Sequence, residues 1–169
     1  RRGFLKYVIL IMKHWKIRNK YDVIIVGFQG IQAVILAKIL TRKTIIFDAF
    51  ASLYDSMVMD RKSVKTGSFV ARYYWWLDKI SMILADIVLF ETNENIDYAS
   101  KEFGIKKEKF RRIFVGSDTD VFYPVKKENH SKKFKVLFYG SFLPLHGIDH
   151  IIRAAKFLEK EKDIVFEII

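Results

Sequence analysis

Six short runs rich in β-branched and aromatic residues punctuate the chain, at 23–26, 44–47, 87–90, 112–115, 135–139 and 164–168. Most are apolar without alternation, the pattern of strands covered on both faces in a parallel sheet. Segments with helical spacing lie between them. Phe4, Val8, Ile11, Met12 and Trp15 form one stripe, flanked by Lys6, Lys13 and Arg18, and Val70, Tyr73, Leu77, Ile80 and Leu84 form a second. A third, Ile96, Ala99 and Phe103, has Thr92 or Asn93 as its N-cap and Gly104 just past its end. Ile148, Ile151, Ile152, Ala155 and Leu158 form a fourth. Strand alternating with helix predicts an α/β chain built on mostly parallel sheets.

One boundary stands out. Residues 124–133 (PVKKENHSKK) hold a single aliphatic side chain, Val125, among four lysines and other polar groups, without periodicity. The expected organisation is therefore a first domain over 1–124, a linker over 125–133 and a second part over 134–169. That second part offers one strand–helix–strand unit, too little to bury a core of its own. With a first part that opens on a helix, it gives the expectation of a piece of a longer two-domain protein.

Composition narrows the classes. Half the chain is apolar and 15% is aromatic, which excludes disorder. With zero cysteines, a disulfide scaffold, a thiolate zinc site and a cysteine nucleophile all drop out. The apolar run 7–12, fenced by Lys6 and Lys13, is far short of the roughly 18–20 residues of a membrane span, and no small-residue cleavage site follows it. The chain is therefore expected to be soluble and intracellular. Thirty basic residues against 19 acidic ones give a net charge of +11, which suits an anionic partner or simply keeps an aromatic-rich chain dissolved.

Several segments could carry chemistry. Tyr139-Gly140-Ser141-Phe142-Leu143-Pro144-Leu145-His146-Gly147-Ile148-Asp149 runs from a strand end through a loop into a helix start. Ligands of open α/β sheets bind outside the carboxyl ends of strands, and unpaired amides at a helix start suit a phosphate; a plain strand-to-helix turn is the alternative. Gly27-Phe28-Gln29-Gly30, after the first strand, lacks the third glycine of a dinucleotide site and reads as a strand-to-helix turn. Asp48 follows the second strand run, where it could contact a ligand or serve, like Asp55, as a cap or turn residue. The stretch Arg72-Tyr73-Tyr74-Trp75-Trp76-Leu77-Asp78-Lys79 fits either a core helix or, with its rings beside cations, a membrane interface. Histidines 14, 130, 146 and 150 show no metal-ligand spacing, so no metal is expected, and no GxSxG elbow, Walker loop or zinc ribbon is present.

An ordered series of these residues resembles the retaining glycosyltransferases of family 4, which have the GT-B fold. That family commonly shows an asparagine-glycine-valine-aspartate turn, a Phe-x-Pro exit into an interdomain linker, a strand ending in glycine-arginine, and a loop closing with lysine-glycine-x-aspartate. The matching positions here are Gly116, Asp118, Phe122, Pro124, Gly140, Gly147 and Asp149. The likeness covers residues 85–169 well and 20–60 more weakly.

The resemblance implies two Rossmann-like domains, both incomplete in this chain, with the acceptor on the first and a nucleotide-sugar donor on the second. Gly140, Ser141, His146 and Gly147 would lie beside the donor diphosphate, and Gly27, Gly30 and Asp48 on the side of a glycan or lipid-linked acceptor. It implies no cofactor or metal, a sugar transfer with retention, and for some members contact with an anionic membrane; nucleic acid is not an expected partner. No catalytic residue is assigned. Ser141 and His146 stand where the family usually has arginine and lysine, cations that offset charge on the leaving nucleotide. The family's pair of glutamates seven residues apart lies beyond the second strand of its C-terminal domain, so the chain alone is expected to be inactive. A noncatalytic GT-B-like scaffold and a basic polyanion- or RNA-binding α/β module remain the alternatives.

Overall fold

The computed structural model describes residues 3–124 and 133–169. Two compact units emerge, one of Arg1–Met59 with Ser63–Val115, the other of Asp60–Lys62 with Gly116–Ile169. Of the expected linker over 125–133, all but Lys133 lies outside the described residues.

The first unit runs α1 (Gly3–Ile17), β1 (Val23–Val26), α2 (Ile31–Leu40), β2 (Thr44–Phe50), α3 (Phe69–Leu84), β3 (Ile87–Phe90), α4 (Asn93–Phe103) and β4 (Phe110–Arg112). All four strands are parallel and lie in chain order, β1-β2-β3-β4. Right-handed crossovers between strands laid down in one direction carry every connecting helix to the same side. The core has this form: Ile45, Phe47, Val88, Phe90 and Phe110 of the sheet cluster with Val34 and Ala37 of α2, Met82 of α3, and Ala99 and Phe103 of α4.

The strands are thus not covered equally on both faces, as their uniform apolarity suggested. Burial alternates along β2 and β3, and the residues facing the other way, Ile46, Ile87 and Leu89, keep part of their surface. Ile25, on the outer strand β1, is 69% exposed. The last strand also differs from expectation. It pairs Phe110 with Val88 and ends at Arg112, the first residue of the run 112–115; Ile113, Phe114 and Val115 are exposed. The anchor is Phe110, whose ring enters the core 5.8 Å from Phe90.

Local signals set the helix ends. Ser68 caps α3 by accepting from Ala71 N at 3.2 Å. Thr92 caps α4 by accepting from Asn95 N at 3.1 Å, and Gly104 closes it in the left-handed conformation, φ +67°. The second unit is a parallel pair, β5 (Phe134–Phe138) and β6 (Ile164–Ile168), joined through α5 (Ile148–Phe157). None of its described residues is fully buried, as expected for two strands and one helix.

A buried carboxylate fastens the segment after β2. Asp78, in the middle of α3, is 1% exposed and accepts from Ser52 Oγ at 2.7 Å and Tyr54 N at 2.8 Å. Ser52 Oγ in turn accepts from Asp55 N at 3.0 Å. Loss of water around Asp78 raises its pKa above the ordinary 3.8, outweighing the hydrogen bonds that lower it. A raised carboxyl pKa in the fold means that this group supports stability most at low pH and progressively less as pH climbs through the raised value. Asp78→Asn keeps an acceptor for Ser52 and Tyr54 without the charge, so denaturant melts should show its stability relative to wild type rising with pH above about 4. Asp78→Ala strands both donors and should cost about 1–3 kcal/mol at neutral pH.

Candidate functional site

In the second unit, the loop 140–147 leaves β5 and enters α5. Gly140 N continues the sheet by donating to Ile169 O at 3.1 Å. Pro144, Leu145 and His146 form a single 3-10 turn, and Gly147 starts α5 in the left-handed conformation, φ +61°. No side chain caps the first amides of α5. His146 folds back so that its Nδ1 meets Ser141 O, with its ring 6.3 Å from that of Phe138. A carbonyl only accepts, so Nδ1 carries the hydrogen and Nε2 is left for another partner. The structure therefore brings Gly140, Ser141, His146 and Gly147 into one exposed loop at the carboxyl end of a strand.

In the first unit, Asp48 lies inside β2, in register with Leu89, so the cap or turn role does not hold for it. Asp55 opens a short π-helical turn, Asp55–Asp60. The ladder slips just after Asp48, and Phe50 has φ +56°, a conformation that a bulky residue adopts only when its surroundings impose it. The Phe50 ring meets Phe28 edge-on at 5.0 Å. Beside this distortion is a crevice of about 320 Å³ lined by Asp48, Phe50, Leu89, Glu91, Ile113 and Phe114 among others. It sits where β2 and β3 end. Two carboxylates between aromatic walls give such a crevice acceptors for hydroxyl groups laid against the rings, and Glu91 Oε1 already accepts from Asn95 Nδ2 at 3.4 Å.

Glu91 was missed by sequence reasoning. The signal was present: it follows the apolar run 87–90 directly, as an acidic residue at a strand's carboxyl end.

Gly27 and Gly30 line a different, apolar groove of about 400 Å³, bounded by Leu10 and His14 of α1, by β1, and by Ala33, Leu36 and Leu40 of α2. His14 Nε2 is buried there without a hydrogen-bond partner. The two glycines have unlike roles. A Cβ on Gly30 would lie 2.5 Å from Val26 Cγ1 and 2.7 Å from Gly27 O, whereas one on Gly27 would meet nothing within 4 Å. Gly30 is therefore required by close packing of turn on strand. Among the described residues, no group of His, Asp and Glu has the make-up of a metal site.

No family model matches the chain, and no curated protein matches it.

Gly30→Ala should lower unfolding stability by about 1–3 kcal/mol through overpacking, while Gly27→Ala should leave the denaturation midpoint close to wild type. Equal effects of the two would contradict the steric assignment.

Proposed function

We propose that the chain belongs to a GT-B glycosyltransferase that moves a sugar from a nucleotide-sugar donor to a hydroxyl acceptor with retention. The observation carrying this reading is the 140–147 loop: a helix without a side-chain cap, opened by a left-handed glycine, follows a strand through this one loop and is accompanied by a tethered imidazole. Amides at such a helix start favour an anion, and a diphosphate is the anionic part of a nucleotide sugar. The ordered residues Gly116, Asp118, Phe122, Pro124, Gly140, Gly147 and Asp149 support the same reading.

In this proposal the donor diphosphate lies on the first turn of α5, with Ser141 and His146 beside it. As the bond from the anomeric carbon to phosphate oxygen breaks, the acceptor hydroxyl oxygen bonds to that carbon on the same face. The hydroxyl proton passes to the departing phosphate, which lies on that face too. The α5 amides offset the charge left on the nucleoside diphosphate, and His146 joins them when both of its ring nitrogens carry a hydrogen, Nδ1 on Ser141 O and Nε2 toward the phosphate. On the first unit, the crevice of Asp48 and Glu91 is the acceptor-side candidate, its carboxylates able to accept from hydroxyl groups.

A thermal-shift screen of the natural full-length protein against UDP, GDP, ADP and their sugar conjugates tests the donor assignment. One nucleotide should stabilise the protein, and His146→Ala should weaken that ligand about tenfold, a loss of ~1.4 kcal/mol. No response to any nucleotide would remove the reading, and steep salt-dependent RNA binding in its place would point to a polyanion-binding module.

A further inference from the structure

The exposed side of α3 carries a feature that neither the core nor the proposed site uses. Phe69, Tyr73, Trp76, Ile80 and Ile83 recur at spacings of four, three, four and three residues. All five are exposed, Phe69 at 87% and Trp76 at 52%, while Ala71, Asp78 and Met82 are buried on the opposite side of the helix. The spacing is that of the two inward positions of a coiled-coil heptad, held over two heptads, and it makes a narrow seam. A helix lying in a membrane interface buries a broader apolar face, and among the described residues no helix is long and apolar enough to cross a membrane. A seam of this width fits one other helix.

The border of the seam carries both signs of charge. By the same heptad count, Arg72 and Lys79 occupy the position next to the seam on the side of α4. The Lys79 ammonium lies 4.8 Å from the centroid of the Trp75 ring. Arg72, Trp75 and Trp76 of α3 share a groove of about 320 Å³ with Glu102 of α4. Glu102 is exposed, and its Oε1 accepts from Trp75 Nε1 at 2.8 Å. The seam is thus flanked by two cations and, just beyond them, a carboxylate.

We propose that this seam is the interface of a homodimer, in which α3 packs antiparallel on α3 of a second copy about a two-fold axis crossing the helix near Trp76. Side-chain size and charge both select this arrangement. Antiparallel packing lays Phe69 near Ile83 of the partner and Tyr73 near Ile80, so a large side chain meets a smaller one at each end and the helices stay evenly separated. A parallel pair would set all three aromatic side chains against their own copies at one end. An axis perpendicular to the helix also keeps the α4 side of one copy over the α4 side of the other. Each Glu102 then lies among the Arg72 and Lys79 side chains of the partner and offsets the approach of these cations to one another.

The test uses the natural full-length protein, in sedimentation velocity and light scattering over a concentration series. A monomer–dimer equilibrium should appear and persist at high salt, because the seam is apolar. Trp76→Ser with Ile80→Ser should raise the dimer dissociation constant about tenfold or more, with circular dichroism matching that of wild type diluted to the monomer. Met12→Ser, on the exposed side of α1, should leave the constant nearly unchanged. Glu102→Lys should weaken the dimer, and adding Arg72→Glu should restore much of it. Residues 1–169 contain no cysteine, so engineered ones report the direction of packing once any cysteine elsewhere is replaced by serine. Tyr73→Cys mixed with Ile80→Cys should cross-link on mild oxidation faster than either variant alone. A protein that stays monomeric at every concentration, or a folded Trp76→Ser, Ile80→Ser variant that dimerises like wild type, would overturn the proposal. So would a monomer that binds phosphatidylglycerol vesicles through the same residues, or cross-linking of each cysteine variant only with itself. The nucleotide-induced thermal shift does not depend on the seam and should survive in the double variant, so the dimer and the donor site succeed or fail separately.

Discussion

Handedness governs the first unit. Four parallel strands laid down in one direction, each joined by a right-handed crossover, leave the three connecting helices no choice of side. Phe47, Val88 and Phe90 are buried because α2, α3 and α4 all arrive over them, and Leu89 stays partly open because none of the three can reach its face. The same direction of winding gathers the carboxyl ends of β2, β3 and β4 along one border. There the crevice of Asp48, Glu91 and Phe114 opens, on backbone that the sheet already holds rigid.

The Asp78 latch shows how that border is kept in shape. Removing a carboxylate from water is unfavourable, and the hydrogen bonds from Ser52 and Tyr54 only partly offset it. What the arrangement secures is position. The chain leaving β2 is tied at two successive donors to the middle of a helix, which is among the least mobile places available, and the turn Asp55–Asp60 starts from that fixed point. A leucine at this position would fill similar space but leave two donors buried without acceptors.

Much of the fold was legible where local chemistry and packing agree. The α4 helix could be bounded from Thr92 and Gly104 because a hydroxyl cap and a left-handed glycine act within one turn, whatever lies elsewhere. β1, β3 and β6 coincide with their apolar runs. The failures have a common cause, in that hydrophobicity records burial without recording pairing. Residues 113–115 are as apolar as any strand yet lie past the paired residues, tied to them by Ile113 N donating to Phe90 O at 2.8 Å, while Phe110-Arg111-Arg112, two thirds of it charged, makes the pairing because Phe110 fits the core beside Phe90. Residues 31–40 carry no stripe, since this helix touches α1, α3 and the sheet and so is apolar nearly all round. The loop 140–147 could be read as a unit because its parts are consecutive. The partnership of Asp48 with Glu91 could not, because two residues 43 apart become neighbours only through strand register.

The slip in the ladder after Asp48 reaches beyond its own geometry. Up to that point β2 and β3 are locked residue against residue, and a shift of one position would turn every buried side chain of β2 outward. By absorbing the irregularity in the final pair, Phe50 with Phe90, the sheet isolates its parity from whatever follows. The segment beyond can then gain or lose residues without disturbing the strands that support it. A rigid frame and an evolvable rim are in this way separated by a single residue of backbone.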